Sequence, residues 1–106
     1  MSESYIYTFV REDIPHTQKI VQIGHACYEA GKRFADSYGI SNLILLSARN
    51  EEDLLKIADN LEVSDINHTI FYEPDNEMGH SAICTEPITK SEQRALFRKY
   101  KLVKFA

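Results

Sequence analysis

The chain has 106 residues, 43% of them hydrophobic and 26% charged, which is enough for one core and too little for two domains. No stretch approaches the roughly 18 apolar residues needed to cross a bilayer, and residues 1–9 lack the basic and apolar regions of a secretory signal, so a cytoplasmic protein without a membrane partner is expected. The net charge of −4 is unevenly spread: residues 89–106 carry six Lys/Arg against one Glu, +5, and residues 1–88 carry 15 acidic against six basic side chains, −9.

The first apolar run, Tyr5–Val10, is β-branched and aromatic and stops at Arg11-Glu12-Asp13, which predicts a buried strand feeding a polar loop. From Pro15 to about Tyr38, apolar or small residues recur at Ile20, Ile23, Gly24, Cys27, Ala30, Gly31 and Phe34, the spacing of one helical face, with Gly39 as the stop. Asn42–Ser47 is an uninterrupted apolar run too short for a helix and predicts a central strand covered on both faces. Asn50 then caps a helix whose first turn holds Glu51, Glu52 and Asp53, and whose apolar face is Leu54, Leu55, Ala58 and Leu61. His68–Tyr72 and Ser81–Thr85 read as two strands of a hairpin joined through Glu73–Gly79. Thr89 or Ser91 caps a last helix reaching about Tyr100, before a short terminal strand over Leu102–Phe105. The sum is one α/β domain over residues 1–106: a three-layer sandwich with a mixed four-stranded sheet and helices on both faces.

Chemistry-bearing residues concentrate in the first helix. At 100° per residue, Gln18, Gln22, His25 and Glu29 form one polar row opposite the apolar stripe, near the Arg11–Asp13 loop at a strand's carboxyl edge, where open α/β sheets place their sites. A polar row of this kind is also what any amphipathic surface helix displays. Cys27 lies on the apolar side about 200° from His25, so the two make no thiolate pair, and Cys27 and Cys84 are both expected as reduced core residues. The four histidines have no ligand spacing and the glycines form no phosphate loop, so neither a metal nor a cofactor is expected. Glu73, Asp75 and Glu77 lack the rest of a calcium-loop pattern and read as an exposed turn. The basic C-terminal residues Arg94, Arg98 and Lys99 form either a solvated helix face or a phosphate contact, and a pI near 5.5 has the wrong sign for tight non-specific nucleic-acid binding.

Two segments carry a family resemblance. Val10-Arg-Glu-Asp-Ile14 resembles the V-R-x-D-L segment of the type-II, archaeal and eukaryotic, peptidyl-tRNA hydrolases, and Val21-Gln-Ile-Gly-His-Ala26 resembles their A-Q-x-x-H-A helix, in the same order and register. Weaker similarity runs through Leu43–Ser47, Asn50–Leu55 and Thr85-Glu-Pro87. The resemblance implies hydrolysis of the ester between a peptidyl or aminoacyl group and the tRNA 3′ end. It puts Gln22, His25, Arg11 and Asp13 at positions matching family residues, with Arg11 and Gln18 beside the substrate. The family's lysine falls on Gln18, and Lys19 takes its place only if the helix entry slips by one residue. The family's D-x-G-x-T segment is replaced by Glu73-Pro-Asp-Asn76, so either Glu73 or Asp75 stands in for its acid. In that scheme an acid or His25 activates water, Gln22 and Lys19 polarise the oxyanion, and Arg94, Arg98 and Lys99 hold tRNA phosphates. The alternatives are a catalytically silent module binding RNA or protein on the same fold, and a small esterase or amidase with another substrate. The oligomeric state stays open, a homodimer included.

Overall fold

The computed structural model describes residues 3–34 and 39–105. Strand β1 (Tyr5–Arg11) enters helix α1 (His16–Arg33), followed by β2 (Asn42–Ala48), helix α2 (Glu51–Val63) and the hairpin β3 (His68–Glu73) and β4 (Gly79–Thr85); a short helix α3 (Ser91–Arg94) continues as a 3-10 turn over Ala95–Phe97. The sheet order is β2-β1-β4-β3, with β1 and β2 parallel and the other pairs antiparallel. Side chains alternate across each strand. Tyr7 and Phe9 therefore enter one core with Leu54, Ile57 and Leu61 of α2 and with Phe97, and Val10, Ala82 and Cys84 enter a second core with Ala26 and Ala30 of α1. This is the expected three-layer α/β sandwich. Among the described residues no helix is long and apolar enough to cross a membrane.

Four expectations need correction. The apolar run of β2 is not central: β2 is the edge strand, and its outer side is covered by the C-terminal segment, with Ser47 N–H donating to Lys101 O (2.8 Å) and Val103 N–H to Leu45 O (3.1 Å). Covering an edge with a strand-like segment satisfies its backbone groups much as a neighbouring strand does, so the run reads the same in sequence. The terminal strand reduces to this cover, a single bridge between Leu46 and Leu102. The last helix is shorter than expected, and neither Thr89 nor Ser91 caps it; Lys90 holds that position without a side-chain hydrogen bond. Helix α1 ends at Arg33, with Phe34 as its C-cap, before the expected Tyr38 and Gly39, and its buried face is Lys19, Gln22, Ala26 and Ala30, rotated from the expected stripe, with Ile20 62% exposed. Residues 35–38 of the expected helix lie outside the described residues.

Helix α2 begins as expected. Asn50 Oδ1 accepts from Asp53 N–H at 2.9 Å, which satisfies one of the orphan donors of the first turn. Its buried face is Leu54, Ile57 and Leu61, and Leu55 is 40% exposed. Glu51 in that turn accepts from the His80 N–H (2.8 Å) and faces His80 Nδ1 at 3.3 Å, so it ties α2 to the start of β4. The backbone can approach so closely because Gly79 has no side chain: its φ is +79°, and a Cβ there would collide with Glu51 Oε2. Gly79→Ala is expected to destabilise the fold by about 1–3 kcal/mol, from left-handed strain plus displacement of Glu51. Urea denaturation measures this, and a loss within 0.3 kcal/mol of zero, about the error on additivity, would remove the constraint assigned to Gly79.

Candidate active site

Gln22 is fully buried in the second turn of α1, where an unpartnered amide would cost several kcal/mol, so its partners define the site. Ser81, also fully buried, donates from Oγ to Gln22 Oε1 at 2.5 Å, and Gln22 Nε2 donates to Glu73 Oε1 at 2.9 Å and to Gln18 Oε1 at 3.4 Å. The direction of this relay is fixed by chemistry: an ionised carboxylate only accepts, so the amide nitrogen faces Glu73 and the amide oxygen faces the hydroxyl. The hairpin makes the relay possible through a bulge. Tyr72 pairs with His80 and Phe71 with Ala82, which leaves Ser81 as the extra residue of β4 and turns it toward α1.

Glu73, at the end of β3, shares the α1 face with Phe71. Its carboxyl lies below the ordinary carboxylate range because Gln22 hydrogen-bonds to it, against a smaller opposing effect of desolvation, with help from the Asp75 backbone N–H and the charge of His25. His25 sits one turn beyond Gln22, exposed, with its ring stacked on Phe71 at 4.4 Å and 3°. Of the two acids left open by sequence, Glu73 joins Gln22 and His25; Asp75 opens an exposed turn, through Asn76 and Glu77 with positive φ, and gives Glu73 Oε2 only its backbone N–H at 3.4 Å. Glu29, the last member of the expected row, pairs instead with Lys32 at 3.5 Å.

Lys19 lies on the same buried face as Gln22, three residues earlier, and is 3% exposed. Its Nζ donates to Glu12 Oε1 (2.5 Å) and to Lys104 O (2.9 Å), and Glu12 Oε2 accepts from Lys104 N–H (3.0 Å). Burial alone would raise the Glu12 carboxyl; the hydrogen bonds from Lys19 and the Lys104 backbone outweigh it and leave the net pKa lowered. This ammonium is therefore spent on tying the C-terminal segment to the β1–α1 loop. Both hydrogens of the Gln22 amide are likewise used, so neither residue is placed to meet an oxyanion as the resemblance implied.

Arg11 and Asp13 form a two-bond pair at 2.9 Å each, and Arg11 Nη1 also donates to Met78 O (2.5 Å) and His80 O (3.3 Å). They brace the β1–α1 loop against the hairpin and make no hydrogen bond to Gln22, His25 or Glu73. The basic residues sit elsewhere again. Arg94 lies with its guanidinium 3.5 Å over the Tyr5 ring, and with Arg98 it lines a cavity of about 320 Å³ among Tyr7, Phe97 and Tyr100, on the α2 layer and across the sheet from Gln22; Lys99 Nζ is 5.3 Å from the Tyr100 ring. Among the described residues no three His, Cys, Asp or Glu side chains converge as a metal site.

Comparison of the chain with protein-family models and with curated proteins finds no match. The resemblance therefore rests on the two sequence motifs alone. Sequence reasoning missed Ser81 and Glu12. A serine opening the run Ser81–Thr85 was the one local signal for the first; Glu12 pairs with Lys19, seven residues on, and with the backbone of Lys104, 92 residues away.

Proposed function

We propose that this protein hydrolyses the ester joining a peptidyl or aminoacyl group to the tRNA 3′ end, as a cytoplasmic activity serving translation, at the face shared by α1 and β3. The observation that carries this reading is the buried relay from Ser81 through Gln22 to Glu73, which delivers an oriented carboxylate beside His25 on the helix with the Val21–Ala26 motif. Glu73, held by the Gln22 amide, orients the attacking water. The imidazole of His25 takes the proton as the water oxygen bonds to the carbonyl carbon, then returns it to the departing 3′ oxygen, giving acid and alcohol. Gln18, whose Oε1 is turned to Gln22, meets the oxyanion through its Nε2 amide. Gln22 and Ser81 are positioning residues that hold Glu73. Arg94, Arg98 and Lys99, across the sheet, grip a remote part of the tRNA through salt-dependent phosphate contacts.

The sequestered Lys19 favours a second reading, a module that binds an RNA end or a protein without hydrolysis. Release of the acyl group from N-acetyl-aminoacyl-tRNA separates the two. The hydrolase is expected to release it, with His25→Ala and Glu73→Gln each at least about ten-fold slower. No release by folded protein, or release unaffected by both substitutions, would reject the assignment; retention of deacylated tRNA without turnover would establish the binding module.

A further inference from the structure

The two cysteines, 57 positions apart in sequence, meet in the fold. Thr8 of β1 is the register partner of Cys84 in β4, and its Oγ1 stands 3.4 Å from Cys84 Sγ and 3.5 Å from Cys27 Sγ on α1, so one hydroxyl touches both sulfurs. Both are free thiols, Cys84 buried and Cys27 partly exposed. They line a cavity of about 380 Å³ with Ile6, Phe34, Leu43 and Pro87, on the α1 layer. The core that holds both cysteines also contains Ala26, Ala30 and Ala82, small residues that let helix and sheet approach. None of these groups takes part in the Gln22 relay.

We propose that Cys27 and Cys84 form an oxidisable dithiol, in which a hydroperoxide entering this cavity oxidises Cys27 and Cys84 resolves the product as an intramolecular disulfide. The Cys27 thiolate attacks the terminal peroxide oxygen, the O–O bond breaks, and an alcohol or water leaves as Cys27 becomes a sulfenic acid. The Cys84 sulfur then attacks the Cys27 sulfur, the S–O bond breaks, and the departing hydroxide takes the Cys84 proton to leave as water. One hydroperoxide is reduced and two thiols are oxidised, so the electrons balance. The division of roles follows from the surroundings. Cys27 is pulled below the ordinary thiol value, first by the neighbouring Cys84 thiol, against burial, and further by the Thr8 hydroxyl. Cys84 is pushed well above the ordinary thiol value by Cys27 and by burial, and so stays protonated. The partly exposed thiol is thus the nucleophile, and the buried one is the resolver.

Treating the whole protein with one equivalent of hydrogen peroxide is expected to lower its intact mass by two hydrogens and to yield, on non-reducing digestion, a peptide joining Cys27 to Cys84. Cys84→Ser is expected to stop at the sulfenic acid, trapped on Cys27 by a 1,3-diketone, and Cys27→Ser to form no cross-link. Iodoacetamide should alkylate Cys27 with a pH midpoint below the ordinary thiol value of about 8.5, and Thr8→Val should move that midpoint upward. Oxidation of wild-type protein to a Cys27 sulfinic acid without a cross-link, or to a disulfide between two chains, overturns the proposal. So does an alkylation midpoint at the ordinary thiol value of about 8.5. The wild-type measurements decide the matter even where the Cys84 variant does not fold.

Discussion

Gln22→Leu is expected to lower folding stability by about 1–3 kcal/mol and acyl release by at least about ten-fold. Leucine approximates the volume of glutamine, so packing between α1 and the hairpin is kept and the loss is polar. Ser81 Oγ–H remains fully buried and loses its acceptor, which carries the stability cost. Adding Ser81→Ala removes the stranded donor as well, so the double variant should recover part of the single variant's loss, a coupling that a denaturation cycle reads directly. The effect on Glu73 has a separate signature. Glu73 loses the hydrogen bond that is the main reason its carboxyl lies low, so its pKa should rise toward the ordinary value, which NMR titration of that carboxyl carbon reads. An unmoved titration would mean that the Gln22 amide does not hold Glu73 in solution. Turnover within two-fold of wild type, about 0.4 kcal/mol, would remove Gln22 from the mechanism.

The sequence was legible where local chemistry and global position agree. Strand β1 is apolar and central, the Asn50 cap and three acidic residues mark the start of α2, and the hairpin is announced by two strand-like runs around a polar turn. It misled where a residue's character depends on a distant partner. The β2 run looks central because residues 101–103 cover its edge. The buried face of α1 was missed because two of its four members, Lys19 and Gln22, are polar, and hydrophobic periodicity treats them as surface; their burial is tolerable only because Glu12, Ser81 and Glu73 arrive from other elements. The site shows the same division. The polar row placed Gln18, Gln22 and His25 within successive turns of one helix, since helical spacing is a local property. The choice between Glu73 and Asp75 turned on where β3 ends, and Ser81 turned on a bulge, neither of which leaves a trace in spacing.

Lys19 gives the second large effect and separates structure from catalysis. Lys19→Met keeps the aliphatic stem in its place and removes the ammonium, leaving the Glu12 side chain, 26% exposed, without its ion-pair partner. Breaking a buried pair on one side costs about 3–5 kcal/mol, and the partial exposure of Glu12 reduces this to about 2–3 kcal/mol at neutral pH. The sign of the pH dependence follows from Glu12. In the wild type its carboxyl is depressed below about 4.5, so its contribution is complete above that value and fades as pH falls through the lower folded value. Without Lys19 the main counterweight to burial is gone while the Lys104 backbone hydrogen bond remains, so the folded carboxyl moves up from its depressed value. Less stability is then tied to this carboxylate, so the variant should lose less on acidification than the wild type. The difference between them, largest near pH 7, should therefore narrow steadily below about pH 5. A difference independent of pH would mean that the aliphatic stem, not the charge, carries the role of Lys19. Acyl release by the folded variant should stay within about three-fold of wild type, because the ammonium is held by Glu12 and Lys104 O and faces no substrate. A ten-fold or greater loss, about 1.4 kcal/mol, would instead mean that this ion pair opens during turnover and that Lys19 acts on the ester itself.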